Sequence, residues 1–481
     1  MTTRSPQQKT IAIIGGGVSG ALTAYHLIDQ GAEVRVLVID PRRELGLGLA
    51  YSTPSLRHLL NVPAGKISAL PAEPEHFLNW LRIHHDPEAT PMTFAPRAIF
   101  GRYIRSLLNG ALQRARGHGK GSGVEHVQAA VVDYRPIGES AVLLLDDGRE
   151  INADQVVLAT GNFDPATLPG ISPWAEASGA YVHNAWLPDA YDGLASQAPV
   201  TLIGTGLTGV DVLLRLRELG YRGTITAVSR HGVFPRRHAA YAPMSESAIP
   251  FGTEPSCLAY LRVLRAVIRD GVAWRAAIDS LRATTNDLWL GLPLKEQQRF
   301  RRHLQRRWEV VRHRMAPPIA AVIEGELAAG TLVAREGHLQ SVEAIEGGAR
   351  VTIRTAEGIE SFETARVINC TGPSTNYRRV NSPLLESLFA QGLASAGPMG
   401  GGFRSTRSGA LIGANGEPSG VLFNLGPGRL GTLLESIAIP EIRDQAVNLA
   451  TLLSGAVLYE GDSADLLAGE TESVPIAMVA G

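Results

Sequence analysis

The sequence predicts an α/β protein built on two parallel-sheet units with a mostly helical insert, and three observations carry that prediction. An apolar run, Thr10 to Ile14, flows into Gly15-Gly16-Gly17-Val18-Ser19-Gly20 and then into helically spaced Ala21 to Gln30. A second apolar strand, Glu33 to Ile39, follows and ends at Asp40. The same order recurs in Val200 to Ile203, Gly204-Thr205-Gly206-Leu207-Thr208-Gly209, Val210 to Glu218 and Gly223 to Val228. From about Ser256 to Leu327, Arg, Leu and Ala recur at helical spacing. Strand, glycine turn, helix and strand is the βαβ unit from which parallel sheets are made.

Each glycine turn has a chemical reading. The first glycine permits the tight turn, the second lets backbone approach a pyrophosphate, and the third lets helix and strand pack closely. The helix N-terminus then offers unpaired N–H groups to phosphate. One GxGxxG is a common turn. Two in one chain, each between a strand and a helix, point to two Rossmann-like dinucleotide sites.

The ends of the second strands tell the two sites apart. Asp40 stands 25 positions after Gly15, and Ser229 stands 25 after Gly204. A carboxylate at that place accepts hydrogen bonds from a ribose 2′-OH, as the adenosine of FAD requires. Ser229 with Arg230 suits a 2′-phosphate, which a carboxylate would repel, so the second site is expected to prefer NADPH to NADH. The bland alternative for Arg230 is a solvated surface charge.

The remaining pattern sets the expected organisation. The FAD-binding domain takes residues 1–165 first, with strand-like segments around Gln128 to Tyr134, Ala141 to Leu145 and Gln155 to Ala159, closing at Thr160 and Gly161. Asn162 to Pro199 reads as a linker. The NAD(P)H-binding domain is expected over 196–365, with its helical insert at about 250–327. Residues 366–455 return to the FAD domain through an apolar run ending at Gly372 and a helical stretch, Thr432 to Leu453, interrupted near Pro440. A C-terminal tail, 456–481, carries no strong pattern.

Composition narrows the class. Lys and Arg total 45 against 46 Asp and Glu, so the basic excess of a nucleic-acid binder is missing. The two cysteines, Cys257 and Cys370, lie 113 positions apart, which removes a CxxC redox pair and fits a reducing, cytoplasmic setting. No apolar signal core or 18-residue apolar run is present, so no membrane association is expected. No closely spaced His, Cys and carboxylate cluster suggests a metal. A homo-oligomer is left open.

With these residues in place, the chain resembles the two-dinucleotide-binding flavoproteins, in particular relatives of the class B flavin monooxygenases. Within them it looks most like a bacterial FAD/NAD(P)-binding group with an LGxGxAYST-type segment, here Leu45 to Thr53. That group also carries HLLNVPA, here His58 to Ala64, and SRxGxxP, here Ser229 to Pro235. The likeness runs to about Leu453. The class B linker fingerprint FxGxxxHxxxWP is matched at Gly179, His183 and Pro188 but not at Ala177 or Leu187, although Trp186 is adjacent. A loop histidine is the alternative for His183.

The resemblance implies NADPH reduction of the flavin, formation of a C4a-hydroperoxide with dioxygen, and oxygenation of a nucleophile. In N-hydroxylating relatives that nucleophile is a small amine or amino acid such as aspartate. Two other readings stand beside it: an NAD(P)H-dependent flavin oxidoreductase that reduces an organic acceptor without oxygen insertion, and a non-enzymatic flavin-binding redox sensor.

The candidate residues follow. Gly15, Gly17, Ser19, Gly20 and Asp40 are expected at the ADP half of FAD. By resemblance, Val132 meets the adenine, and Leu60, Asn61 and Val62 approach the flavin ring. Asn61 is the candidate catalytic residue, hydrogen-bonding the flavin edge or the nicotinamide; an Asx turn before Val62-Pro63 is its alternative. Thr432, Leu433 and Glu435 are read as opening the late helix, its N-terminus facing the flavin pyrimidine. First-turn acid placement is the plainer account of Glu435. Gly204, Gly206, Thr208, Gly209, Ser229 and Arg230 are expected at NADPH, and Asp211 complements its helix dipole. In the insert, Arg301, Arg302, Arg306, Arg307, Arg312 and Arg314 form a basic run. Arg312 and Arg314 are the candidates for gripping a substrate carboxylate, against the plainer reading of a solvated face.

Overall fold

The computed structural model describes residues 8–117 and 123–455; the expected tail, 456–481, lies outside the described residues. Two parallel sheets organise the chain. The first has the strand order Ala410–Ile412, Pro418–Asn424, Gln155–Leu158, Lys9–Ile14, Val34–Ile39 and Val124–Val127. All its pairs are parallel except the first. Ile11, Ile13 and Val38 are fully buried, as β-branched residues in a strand covered on both faces should be. The second sheet is wholly parallel, in the order Leu332–Glu336, Ile225–Ser229, Val200–Ile203, Arg366–Asn369 and Tyr181–Val182.

The two units share a further feature. Before one of its central strands, each sheet gives way to a three-stranded antiparallel ribbon. Val131–Ile137, Ser140–Leu145 and Glu150–Ala153 precede Gln155–Leu158; His338–Ile345, Gly348–Arg354 and Ile359–Thr364 precede Arg366–Asn369. The strands expected around Gln128 and Ala141 thus belong to a ribbon outside the parallel sheet. Helix Val18–Asp29 is buried along ten consecutive positions between helices Arg97–Gly117 and Ile439–Ser454.

Three expected boundaries are corrected. Arg366–Asn369 pairs with Val200–Ile203, so the chain returns to the first sheet after Cys370 and not at 366. Tyr181–Val182, expected in a linker, is the edge strand of the second sheet. The late helix is Ile439–Ser454, preceded by a 3-10 turn at Gly426–Gly431. Pro440 therefore interrupts nothing. It sits in the first turn, where its missing N–H would have had no partner anyway.

The insert folds as short helices, among them Cys257–Arg269, Trp274–Ser280, Thr285–Gly291, Leu294–His303 and Gln305–Arg312. Pro317–Ala328 leaves it to pack Ile319, Ala320 and Ile323 into the core of the second sheet. Among the described residues, no helix is long and apolar enough to cross a membrane.

Candidate functional site

The first glycine turn has the geometry its spacing calls for. Gly15 has φ +104°, and a Cβ there would lie 2.3 Å from the Ala159 carbonyl oxygen; a Cβ at Gly20 would lie 1.9 Å from that of Gly15. Both positions are closed to any larger residue. Gly17 caps helix Val18–Asp29 with no side-chain hydrogen bond, leaving the first-turn N–H groups for an anion. The buried Asp40 carboxylate accepts from Gly16 N at 2.6 Å and from Arg42 N, Nε and Nη2 at 2.7–2.9 Å. Burial pushes this carboxyl up, but those hydrogen bonds outweigh it and hold Asp40 below its ordinary range.

Across the turn, Gly426 approaches so closely that a Cβ on it would meet Ser19 Oγ at 2.7 Å. Beside it Asn424, 1% exposed, has no hydrogen-bond partner at either amide atom. A buried amide left so is costly unless a ligand completes it. These residues fit the pyrophosphate and ribityl part of FAD. Sequence reasoning passed over Asn424; its signal was an apolar strand running into Leu425-Gly426-Pro427-Gly428. Thr160 and Gly161 follow the central strand Gln155–Leu158. Val132 is half-buried at a register shift in Val131–Ile137.

The second turn repeats the design. Gly204 has φ +124°, with Cys370 O 2.4 Å from its would-be Cβ, and a Cβ at Gly209 would meet Gly204 O at 2.5 Å. Gly206 faces open space at the helix cap, and Thr208 lies half-buried in the first turn. Gly372 lies just past the strand beside this turn, on the second sheet. Ser229 Oγ is 2.8 Å from Thr205 Oγ1 and accepts from Gly232 N at 3.1 Å.

Arg230 lines a cavity of about 940 Å³ together with Arg236, Arg237, Arg301, Arg302, Arg306 and Arg307. Arg306 Nη2 donates to Thr205 Oγ1 at 3.1 Å and to Val233 O at 2.7 Å. So much positive charge beside a Ser-Arg turn suits a phosphomonoester. Part of the insert's basic run thus borders the second cradle.

Between the cradles the chain is tied together. His238 donates from Nε2 to Asn61 O at 2.9 Å, linking the LLNV segment to the stretch just beyond Ser229. Burial and the nearby Arg314 charge lower the His238 pKa to about 4, so its ring is neutral near pH 7. The Asn61 side chain is half-buried and makes no hydrogen bond among the described residues, so the Asx turn, its alternative reading, is not formed. Leu60 and Val62 on either side are buried. His58 Nε2 bonds Asp211 O at 3.0 Å, and the buried Asp211 carboxylate pairs with Arg97 at 2.7 Å. Asp211 therefore joins the two units, in place of the helix-dipole role expected for it. Trp186 meets His58 edge-on. His183 is half-buried next to the edge strand.

Two further expectations are revised by their surroundings. Thr432, Leu433 and Glu435 precede the late helix and do not open it. The Thr432 carbonyl accepts from the Trp289 indole at 3.1 Å, and its Oγ1 accepts from Ser405 N at 2.9 Å. Glu435 takes the Trp308 indole at 3.1 Å, with Arg312 at 3.6 Å and His313 at 3.7 Å. Burial opposes the Glu435 charge, but these partners overcome it and bring the pKa down to about 2. It ties the insert to the segment that precedes the late helix. Arg312 also faces Glu441 at 3.6 Å, while its buried Nη2 makes no hydrogen bond among the described residues. Arg314 is buried and paired with Asp279, which also accepts from Tyr241 Oη, yet its Nε and Nη1 have no partner. Asp279 opens onto a cavity of about 890 Å³ lined by Asn286, Arg407, Arg429, Leu433 and Glu441.

The comparisons with known proteins agree with this geometry. Residues 12–163, which span the first cradle and its central strands, match the family described as FAD-NAD(P)-binding. The chain carries a FAD-NAD(P)-binding domain. Around that domain, an uncharacterised Escherichia coli protein, YdhS, is 24% identical over 245 residues, 48% of this chain and 43% of that protein. A flavin-containing monooxygenase of Aspergillus flavus is 24% identical over 230 residues, 44% of this chain and 51% of its own. The chain thus spans about half the length of the curated relatives it matches. The solved structure of reduced ornithine hydroxylase from Pseudomonas aeruginosa superposes with a TM-score of 0.59 at 16% identity, covering 93% of this chain and 99% of that one. Beyond that domain the chain shares its fold with that structure, and the likeness is one of fold alone.

Proposed function

We propose that this chain is an FAD- and NADPH-dependent monooxygenase that N-hydroxylates a small amine or amino acid. The observation that carries the reading is the junction of the two cradles at Asn61 and His238, 2.9 Å apart. Bound FAD would supply the electron-transfer and dioxygen chemistry, and NADPH the hydride. Asp40 would hold the adenosine ribose, the first-turn N–H groups after Gly17 the pyrophosphate, and Asn424 the sugar-alcohol chain. Ser229, Arg230 and Arg306 would grip the 2′-phosphate. His238, neutral, fixes the backbone at Asn61 so that the free amide can face the flavin edge or the nicotinamide.

Arg314 supports a carboxylated substrate, because its buried Nε and Nη1 lack partners while Asp279 holds its other side. Arg312 faces Glu435 and Glu441 at 3.6 Å, and its buried Nη2 likewise makes no hydrogen bond among the described residues, so it stands as a second candidate. A dithiol route has no support at the cradles: Cys370 is buried behind Gly204, and Cys257 lies in the insert, its thiol pushed up to about 11 by burial and Glu296. Incubating the flavin-loaded protein with NADPH, air and a panel of amines and amino acids tests the reading. A hydroxylamine product with NADPH consumed in proportion supports it. Peroxide alone with every compound, alongside turnover of a quinone or other organic acceptor without oxygen, favours the plain oxidoreductase.

A further inference from the structure

We propose that the helical insert holds a second ligand site, adjoining the cavity of the second cradle across Arg307 and Val311, for a small apolar carboxylate such as an aryl or medium-chain alkyl acid. The core of the insert is thin: Ala248, Ile249, Ala277 and Leu281 are fully buried, while Tyr260, Leu264, Leu288 and Trp308 stay half-exposed around them. Where a packed centre would be expected, there is a cavity of about 250 Å³. Leu264, Leu288, Trp289, Phe300, Trp308 and Val311 are among the residues of its wall. The cavity is half open to solvent, so its apolar wall is hydrophobic surface that nothing among the described residues covers.

Apart from two arginines at its edge, the polar groups at the wall are already used. The Trp289 indole donates to Thr432 O and that of Trp308 to Glu435 Oε1, each at 3.1 Å, and Cys257 Sγ donates to Glu296 O at 3.1 Å. Water needs two to four polar partners and finds few here, whereas an apolar hole of about 150 Å³ already accepts benzene. By that scale this one takes a body of roughly ten heavy atoms.

The charge at its edge selects the head group. Arg265 and Arg307 both line the cavity and are exposed, and neither has an ion pair or hydrogen bond among the described residues. Two unengaged guanidiniums over an apolar hole match an anion with an apolar body, and the planar fork favours a carboxylate. Leu434 lines this cavity and its neighbour Leu433 lines the 890 Å³ cavity, so the two spaces share one strip of backbone.

Isothermal titration calorimetry of the full-length protein with 3-phenylpropionate, and with 3-phenylpropanol as the uncharged control, tests this without depending on flavin chemistry. The acid is expected to bind saturably with a negative heat-capacity change, about three- to tenfold more tightly than the alcohol. The double substitution Arg265→Gln and Arg307→Gln should bring the acid to the affinity of the alcohol, and Leu264→Trp should abolish both. Val311→Phe serves if Leu264→Trp does not fold. No saturable heat, equal affinity of acid and alcohol, or binding that survives the filled cavity would each overturn the proposal.

Discussion

Arg306 Nη2 lies 3.1 Å from Thr205 Oγ1, so a side chain of the helical insert reaches the glycine turn of the second cradle. Ser229 shares the same Thr205 hydroxyl at 2.8 Å. If this group receives the 2′-phosphate, Arg306→Ala and Arg230→Ala should each lower kcat/KM for NADPH by about ten- to a hundredfold, the usual worth of a charge-assisted hydrogen bond. The constants for NADH, which lacks that phosphate, should hardly move. Steady-state kinetics with both nucleotides checks this.

The glycine turns offer a second comparison. A Cβ at Gly20 or at Gly209 runs into a backbone carbonyl that has nowhere to go. Gly20→Ala is expected to cost about 1–3 kcal/mol and to yield protein with little flavin. Gly209→Ala should keep its flavin and lose saturation by NADPH. Flavin content per chain and the NADPH concentration dependence separate the two outcomes.

How much of this is legible in the chain depends on the residue. Both glycine turns can be read because their function is local: a tight turn, a close backbone approach and a helix start follow within six positions. Asp40 and Ser229 follow from counting along one strand. The partners of Asp211 and Glu435 cannot be read this way. Arg97 is 114 positions from Asp211, and Trp308 is 127 from Glu435, and no periodicity links them. The same limit explains Arg312. Its charge and spacing mark it as a carboxylate binder, and the carboxylates it faces belong to its own chain. The apolar run Val367 to Cys370 shows a buried strand and leaves open which sheet takes it.

Acid should act through Glu435. Its folded pKa is about 2 against an ordinary value of 4.5. A depressed carboxyl contributes stability that is fully present above the ordinary value and is lost as pH falls toward the folded one. The difference corresponds to on the order of 3 kcal/mol, withdrawn between about pH 4.5 and pH 2. Glu435→Gln should therefore lower Tm clearly at neutral pH and flatten the fall of Tm in that acid window. Thermal melts across pH test it.

His238 joins the segments and touches no cofactor in this account. His238→Ala should leave flavin content intact and slow flavin reduction by NADPH, with a loss of about 1 kcal/mol in binding or positioning. His238→Gln, which can still donate to Asn61 O, should restore part of the rate. Single-turnover reduction measured at saturating NADPH distinguishes positioning from affinity.

The central claim is that two phosphate cradles in one chain bring a flavin and a nicotinamide together. Anaerobic mixing of the FAD-reconstituted protein with NADPH, following the flavin absorbance, tests it most directly. Full bleaching, faster with NADPH than with NADH, is the predicted result. A protein that takes up no FAD, or whose bound flavin stays oxidised under excess NADPH, would contradict it.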